Sequence, residues 1–325
     1  MKIIAKVGDE NIAVAYIGEM DNGKLTEFVE SVQPPIPREK KWVLIVSTLC
    51  GCPVGCPFCD AGESYRGKLS KNDIISQIDY MVVNRFPDRR VPIPKLKIQF
   101  ARMGDPAFNQ NVLDVLEELP ERYDAPGLLP TLSTIGPKGT DRFFGRLLEI
   151  KNKIYRERFQ LQFSIHTTDP ELRDWLIPTE KWDLEKIAEY GEAFYRKGER
   201  KITLNFALAN GMPVKSEVLL HRFDPEKFLV KITPVNPTYR AMRNEISSYI
   251  LPEKEKYEII EELKDAGYEV ILSIGELAEN YIGSNCGQHV ANYLKEKEII
   301  EGGYTYPIQV VRSINFGHQM KNSLS

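Results

Sequence analysis

Short apolar segments alternate with amphipathic helical segments from residue 42 to residue 266. The apolar segments lack a clean two-residue alternation, which indicates strands that are covered on both faces of a sheet. This alternation is typical of parallel strands joined by crossover helices. Six strands are predicted: Trp42–Val46, Leu96–Phe100, Leu128–Ser133, Phe159–Ile165, Ile202–Leu208 and Phe228–Ile232. The sequence therefore predicts an α/β fold, a partial (β/α)6 barrel whose site lies at the C-terminal ends of the strands.

The chain divides into three predicted parts. Residues 1–40 form a small N-terminal β extension and linker, because two short apolar runs separated by a turn precede the proline-rich segment Gln33-Pro-Pro-Ile-Pro. Residues 41–290 form the barrel, and residues 291–325 form a C-terminal extension. The first helix of the barrel is predicted to start at Ser70 and to end near Val83.

Composition limits the class of protein. The net charge of −3 and the pI of about 6.0 argue mildly against a large nucleic-acid footprint. No apolar run approaches the roughly 20 residues needed to span a bilayer, and the N-terminus lacks a signal-peptide block. Five cysteines, an odd number, make a poor disulfide framework. We therefore expect a cytoplasmic protein without a membrane partner.

Three cysteines follow the first predicted strand with the spacing C-x3-C-x2-C, at Cys52, Cys56 and Cys59. Four thiolates complete the ligation of an iron–sulfur cluster, so three leave one iron with an open site. The alternative is a zinc-stabilised binding module, which needs four ligands. A fourth zinc ligand would have to come from Cys50, Cys286 or one of the four histidines. Cys50 lies too close in sequence to Cys52 to suit the same metal ion.

Small and polar residues follow the other predicted strands. Gly104-Asp105-Pro106 follows the second strand, and glycine there lets the backbone approach a ligand closely. Ser133 ends the third strand, Ser164 and His166 end the fourth, and Asn236 follows the sixth. Each segment alone is an ordinary loop, but together they predict one binding site.

The cysteine spacing resembles the signature of radical S-adenosylmethionine (SAM) enzymes. The resemblance implies a 4Fe–4S cluster on Cys52, Cys56 and Cys59, with SAM on the fourth iron. Gly104-Asp105-Pro106 resembles the Gly-Glu-Pro segment that holds the SAM amino group, with Asp105 in place of glutamate. By the same resemblance, six residues would contact SAM: Gly104, Asp105, Ser133, Ser164, His166 and Asn236. The cofactor supplies the difficult chemistry, and the protein positions it.

The order of these segments resembles one family closely, the radical SAM adenine-C2 and adenine-C8 methyltransferases of ribosomal RNA. Residues 69–77, 164–178 and 284–288 look like further segments of that family. The last of these contains Cys286, which the resemblance identifies as a methyl carrier. One SAM would methylate its thiolate, and a radical from a second SAM would activate the S-methyl group for addition to an sp2 carbon.

The sequence departs from the family at three points. Only about 40 residues precede the barrel, where the family has an N-terminal accessory domain for RNA. Ile45 stands where the family has a second cysteine that resolves the covalent adduct, seven residues before Cys52. A glutamate of the family's β extension falls on or near Ala13. Cys50 is the one remaining thiol that could take the resolving role.

The leading prediction is a radical SAM methyltransferase that acts on an sp2 carbon through Cys286. The family implies adenine in RNA, and without the accessory domain a small compact RNA or a small molecule would suit. An external one-electron donor such as flavodoxin or ferredoxin is expected. The alternative is a radical SAM enzyme that does not methylate and acts on a small molecule or peptide.

Overall fold

One sheet of eleven strands runs through the protein in our computed structural model. The structure describes residues 1–251, 256–275, 277–284, 289–294 and 303–311. The strands in chain order are β1 (Lys2–Asp9), β2 (Ala13–Glu19), β3 (Leu25–Ser31), β4 (Trp42–Val46), β5 (Leu49–Cys50), β6 (Gly67–Lys68), β7 (Leu96–Phe100), β8 (Leu128–Thr134), β9 (Gln160–Ser164), β10 (Ile202–Leu208), β11 (Phe228–Pro234), β12 (Val270–Leu272) and β13 (Gln309–Val310).

The helices alternate with these strands as the sequence predicts. They are α1 (Lys71–Arg85), α2 (Asn111–Arg122), α3 (Asp141–Ile150), α4 (Pro170–Leu176), α5 (Leu184–Phe194), α6 (Ser216–Leu220), α7 (Tyr239–Arg243), α8 (Glu258–Asp265), α9 (Leu277–Ile282) and α10 (His289–Leu294). Within the described residues, none of these helices has the length and apolar character that a membrane span requires.

Strands β4, β7, β8, β9, β10, β11 and β12 are neighbours in that order and all run parallel. The predicted α/β fold with a parallel sheet is thereby confirmed. The short strand β12 adds a seventh parallel strand to the six predicted, and its three residues are too few to give a sequence signal. Because parallel strands share one direction, the loops that follow them meet at one end of the sheet.

The N-terminal extension continues the same sheet. Strands β1, β2 and β3 are antiparallel, and β3 pairs with β4, so Val29 lies opposite Ile45. At the outer edge, β13 pairs with β1. The sequence predicts the first two strands but misses β3, whose two glutamates look exposed in the sequence. The division of the chain at residues 40 and 290 stays a prediction.

The helix after the cysteine loop begins where the sequence predicts. The Ser70 side chain accepts from the Asp73 backbone N–H at 3.1 Å, and the Asp73 carboxylate accepts from the Ser70 backbone N–H at 2.9 Å. This reciprocal capping satisfies two backbone donors that a helix start leaves unpaired. The buried face of α1 includes Ile74, Ile75 and Ile78, and it packs into the main core.

Candidate active site

A cavity of about 540 Å³ opens at the C-terminal ends of the parallel strands. Its size lies within the range of small-molecule and cofactor sites. Its lining contains every site residue predicted from the loops after β4, β7, β8, β9 and β11: Cys52, Cys56, Cys59, Gly104, Asp105, Ser133, Ser164, His166 and Asn236. Residues that are up to 184 positions apart in the sequence therefore share one cavity, as the parallel topology requires.

The cysteine loop has a tight backbone. Gly51 has a positive φ of 76°, and a Cβ atom there would lie 1.5 Å from the Ser64 carbonyl oxygen, so only glycine fits. Burial raises the pKa of Cys52 to about 11, and burial together with the neighbouring Cys52 raises the pKa of Cys56 to about 12. Thiolates at these positions therefore need a positive partner, which a bound iron cluster would provide.

The loop is held from the opposite side of the cavity by the segment after β11. The Asp60 carboxylate accepts from the backbone N–H groups of Tyr239 at 3.2 Å and Arg240 at 2.9 Å. The Arg240 guanidinium donates to the Gly55 carbonyl at 2.9 Å, and the Thr238 hydroxyl donates to the Phe58 carbonyl at 2.8 Å. Sequence reasoning missed these anchors, because each pairs residues about 180 positions apart.

Asp105 is buried and already has several donors. Its carboxylate accepts from the Ile135 N–H at 2.7 Å, the Ala107 N–H at 2.9 Å and the Thr134 hydroxyl at 2.9 Å. Burial nevertheless raises the pKa of Asp105 to about 6. Two carboxylate oxygens have about four acceptor sites, so capacity for one more donor remains. Asp105 therefore joins the loops after β7 and β8 and still faces the cavity.

Gly104 has a positive φ of 86°, and a Cβ atom there would lie 2.4 Å from the Leu49 side chain. The close approach of this backbone to Leu49 explains why glycine precedes Asp105. The segment is also tied to β5, because the Met103 carbonyl accepts from the Thr48 and Leu49 N–H groups at 3.0 and 3.1 Å.

His166 adopts the left-handed backbone region with a φ of 68°, which is uncommon outside glycine. Its Nδ1 accepts from the Ala207 N–H at 3.0 Å, so the ring proton resides on Nε2. Burial lowers the pKa of His166 to about 3, and the ring is therefore neutral. The ring also contacts Phe58 edge-on, with centroids 5.1 Å apart. Such backbone strain is typical of residues that a functional site holds in place.

Among the described residues that line the cavity, one buried polar atom lacks a partner. Asn205 is 8% exposed, and its Oδ1 atom accepts no hydrogen bond from the described part of the chain. Buried acceptors are rarely left unsatisfied. This oxygen therefore suits a donor of a bound molecule, such as an amine or hydroxyl group. The observation fits a polar cofactor such as SAM, and sequence analysis did not single out Asn205.

Within the described ranges, no group of three or more His, Cys, Asp or Glu side chains is arranged to hold a single metal ion. A structural zinc site needs four ligands around one ion, so these residues give no support to the zinc alternative. In a 4Fe–4S cluster, each thiolate binds a different iron, so three cysteines need not converge on one point. The cavity wall at Cys52, Cys56 and Cys59 fits the cluster.

The remaining predicted thiols differ in their positions. Cys50 is 2% exposed, belongs to the main core and is absent from the cavity lining, and burial raises the pKa of its thiol to about 11. Ile45 lines the cavity. Cys286 lies outside the described residues. The observations on Cys50 do not favour a resolving role, which stays a prediction.

A buried ion pair holds both flanks of the segment that contains Cys286. Arg102 and Glu27 have side chains that are 1% and 0% exposed, and the Nη2–Oε1 distance is 2.6 Å. Arg102 also donates to the carbonyls of Ser284 at 2.6 Å and Gly283 at 2.9 Å. The Glu27 Oε2 atom accepts from the Val290 N–H at 2.9 Å. The pair therefore connects the barrel to the chain on either side of residues 285–288.

Comparison with known proteins is consistent with this site. The chain is 30% identical over 276 residues to a probable RNA methyltransferase from Ectopseudomonas mendocina, with 81% of this chain and 69% of that protein covered. The chain belongs to the radical SAM RNA methyltransferase family. It is accordingly an enzyme, a radical SAM-dependent methyltransferase. No family model matches the chain.

The chain is similar to other members of the family over much of its length. The chain is 28% identical over 293 residues to a probable dual-specificity RNA methyltransferase RlmN from Syntrophomonas wolfei, covering 86% of this chain and 76% of that one. For a protein of the same name from Acaryochloris marina the identity is 27% over 231 residues, covering 69% and 60%. The chain thus spans between 60% and 76% of the lengths of these three relatives.

A solved structure supports the fold. The crystal structure of a radical SAM methyltransferase from Sphaerobacter thermophilus aligns with a TM-score of 0.64, over 88% of this chain and 80% of that one. The sequence identity is 20%, so this likeness concerns the fold alone. The likeness therefore supports the α/β fold with its large, mostly parallel sheet.

Proposed function

We propose that this radical SAM enzyme binds a 4Fe–4S cluster through Cys52, Cys56 and Cys59 and methylates an sp2 carbon through an S-methylcysteine at Cys286. The observation that carries the proposal is the single cavity lined by the three cysteines and by the polar residues at the strand ends. When bound, the cluster would supply the electron that cleaves SAM into methionine and a 5′-deoxyadenosyl radical.

The residues of the chain would orient and shield the cofactors. Gly104 would let SAM approach the backbone, and Ser133, Ser164 and Asn236 would offer hydrogen bonds to it. Asp105 has capacity for one further donor, which suits the SAM ammonium group. The Nε2–H of His166 would donate to an acceptor, because its Nδ1 is already occupied. The buried walls would exclude water from reactive species.

Cys286 would carry the methyl group. The flanks of its segment are held by Arg102 and Glu27, which supports a role that needs a defined position for the thiol. The thiolate sulfur would attack the SAM methyl carbon and release S-adenosylhomocysteine. The substrate carbon would then receive its methyl group from this sulfur rather than directly from SAM.

We infer that the substrate is adenine in RNA, because the relatives are named RNA methyltransferases. A compact RNA suits the chain, since an unstacked base can enter a pocket of this size. A free small molecule is the other candidate substrate. Turnover would require an external one-electron donor such as flavodoxin or ferredoxin. Ile45 lines the cavity at the position where the family has its resolving cysteine. Because isoleucine has no thiol, the covalent adduct between enzyme and RNA would have to be released by a different route.

Mass spectrometry of the cluster-reconstituted protein tests the carrier role. After incubation with SAM, we expect one added methyl group on the peptide that contains Cys286, and none in the Cys286→Ala variant. Cys50→Ala is the matched control, because it removes a buried thiol outside the cavity and should keep the modification. An unmodified Cys286 in protein that still cleaves SAM would favour a radical SAM enzyme that does not methylate.

The RNA substrate is tested separately with labelled SAM and total RNA. We expect label in RNA with the wild-type protein and its loss with Cys286→Ala. Label confined to a metabolite fraction would contradict the RNA assignment and leave the carrier role standing.

A further inference from the structure

Tyr304 connects the C-terminal part of the chain to the cysteine loop. Its hydroxyl donates to the Asp60 Oδ2 atom at 3.0 Å, and Asp60 directly follows Cys59 in the sequence. The same oxygen accepts from the Tyr239 N–H at 3.2 Å, and the Tyr239 ring stacks on the Tyr304 ring with centroids 5.1 Å apart. Both the hydroxyl and the ring of Tyr304 therefore contact groups that hold the cysteine loop.

The same ring packs against both flanks of segment 285–288. On one flank, Gly283 has a positive φ of 74°, and a Cβ atom there would lie 2.9 Å from the Tyr304 ring. On the other flank, the His289 ring meets the Tyr304 ring edge-on with centroids 5.6 Å apart. The His289 Nε2 atom lies 2.7 Å from the Ile282 carbonyl oxygen, which joins the two flanks to each other. Tyr304 therefore contacts the chain on both sides of this segment.

The backbone holds Tyr304 in an unfavourable conformation. Its φ of 56° lies in the left-handed region, which bulky side chains rarely adopt. The Tyr304 N–H donates to the Asn280 carbonyl at 3.2 Å, and the Thr305 N–H donates to the Tyr281 carbonyl at 2.8 Å, so this stretch lies along α9. Strain of this kind persists only where the surrounding contacts fix the residue, and it is concentrated at functional sites. The backbone therefore directs this side chain to a defined place.

We propose that Tyr304 is a positioning residue for methyl transfer, which fixes the flanks of the Cys286 segment relative to the cysteine loop. This inference rests on the proposed function, because it needs Cys286 as the methyl carrier. Tyr304 is not among the described residues that line the cavity, so it acts through the groups that it holds. Arg102 and Glu27 hold the same flanks to the sheet. A reacting atom displaced by about 1 Å can slow a reaction about 100-fold, so the register of this segment matters.

Deuterium transfer in the full chain, reconstituted anaerobically with its cluster, tests the proposal. The protein is incubated with dithionite and with SAM whose methyl group is deuterated. One SAM methylates the Cys286 thiolate and leaves as S-adenosylhomocysteine. A second SAM, cleaved by one electron from dithionite, forms methionine and a radical that takes one deuterium atom from the S-methyl group and becomes singly deuterated 5′-deoxyadenosine. A radical that takes hydrogen from any other source gives the undeuterated product, so the ratio of the two products measures the register.

Tyr304→Phe removes the hydroxyl and keeps the ring. We expect it to lower the ratio of deuterated to undeuterated 5′-deoxyadenosine about tenfold, with iron content and total SAM cleavage retained. Tyr268→Phe is the matched control, because it removes a tyrosine hydroxyl that donates to the Phe223 carbonyl at 2.6 Å, outside the described cavity lining, and it should keep the wild-type ratio. If Tyr304→Phe fails to fold, Asp60→Asn replaces it, because it weakens the same hydrogen bond from the acceptor side and should lower the ratio in the same way.

The outcomes separate this inference from the proposed function. Deuterium transfer in the wild-type protein that Tyr304→Phe retains in full, or that Tyr268→Phe loses to the same extent, overturns the positioning role alone. Wild-type protein that cleaves SAM but forms neither S-methylcysteine nor deuterated 5′-deoxyadenosine overturns the carrier role of Cys286 itself.

Discussion

Arg102→Met should strongly destabilise the connection between the barrel and the segment after α9. Arg102 and Glu27 are almost completely buried, and Arg102 donates to Glu27 through Nε at 2.7 Å and through Nη2. The same guanidinium also supplies the hydrogen bonds to Ser284 and Gly283. Methionine keeps much of the apolar stem and removes the charge and all of these donors.

The structure indicates the size of the effect. Removing one partner of a buried ion pair leaves the other charge uncompensated, which typically costs about 3–5 kcal/mol. Arg146→Met is the control, because Arg146 pairs with Asp114 and Glu117 at a surface position and is 37% exposed. Such surface pairs contribute at most about 1 kcal/mol. Glu27→Gln in the Arg102→Met background removes the second charge and should recover part of the loss.

Urea unfolding of Arg102→Met, Glu27→Gln, the double variant and Arg146→Met gives the free energies of unfolding. The first three variants and the wild type form the double-mutant cycle that gives the coupling between Arg102 and Glu27. We expect a coupling of at least about 1 kcal/mol. Hydrogen exchange should show lost protection at residues 281–284 and 289–294 in Arg102→Met. A destabilisation no larger than that of Arg146→Met, with a coupling below about 0.5 kcal/mol, would refute the reasoning.

Three further predictions concern single residues. Gly104→Ala should lower the free energy of unfolding by about 1–3 kcal/mol, because φ is positive and the new Cβ would lie 2.4 Å from Leu49; an unchanged melting temperature would contradict this. Cys52→Ala should abolish iron incorporation on anaerobic reconstitution while Cys50→Ala retains it, as measured by iron content and visible absorption. Lys97→Met should stabilise the protein below pH 7 by up to about 4 kcal/mol, because the folded state there must hold a charge that burial and neighbouring cations oppose. This gain should shrink as the pH rises from about 7 toward 10.5, since the unfolded chain binds more protons in that window; urea midpoints across the range that do not converge would disprove it.

Local sequence patterns were sufficient to predict the order of the strands and helices. The capping pair Ser70 and Asp73 defines the start of α1. Because these residues are only three positions apart, the helix start can be predicted from the sequence. The grouping of the polar residues that follow the strands could also be predicted. Parallel strands bring their C-terminal ends together whatever the loops contain. The cysteine spacing indicated a cluster with an open iron, because three ligands leave one coordination site.

Ion pairs between residues far apart in the chain could not be predicted from the sequence. Glu27 and Glu30 make β3 look like an exposed segment, yet both carboxylates are buried. Glu30 accepts from the Tyr16 hydroxyl at 2.6 Å and from Arg85 at 2.8 Å, and Glu27 pairs with Arg102. These partners lie up to 75 residues away, so no local pattern could show that the charges are satisfied.

The amino-acid sequence by itself determined the alternation of strands and helices, the spacing of the three cysteines and the polar strand ends, because each depends on neighbours within a few positions. Tertiary structure alone decided that Asn205 and His166 line one cavity, that Cys50 is buried away from it, and that Asp60 and Arg240 hold the cysteine loop. The physical reason is that burial and electrostatic interaction depend on distances in space, and the sheet brings together residues that the chain keeps far apart.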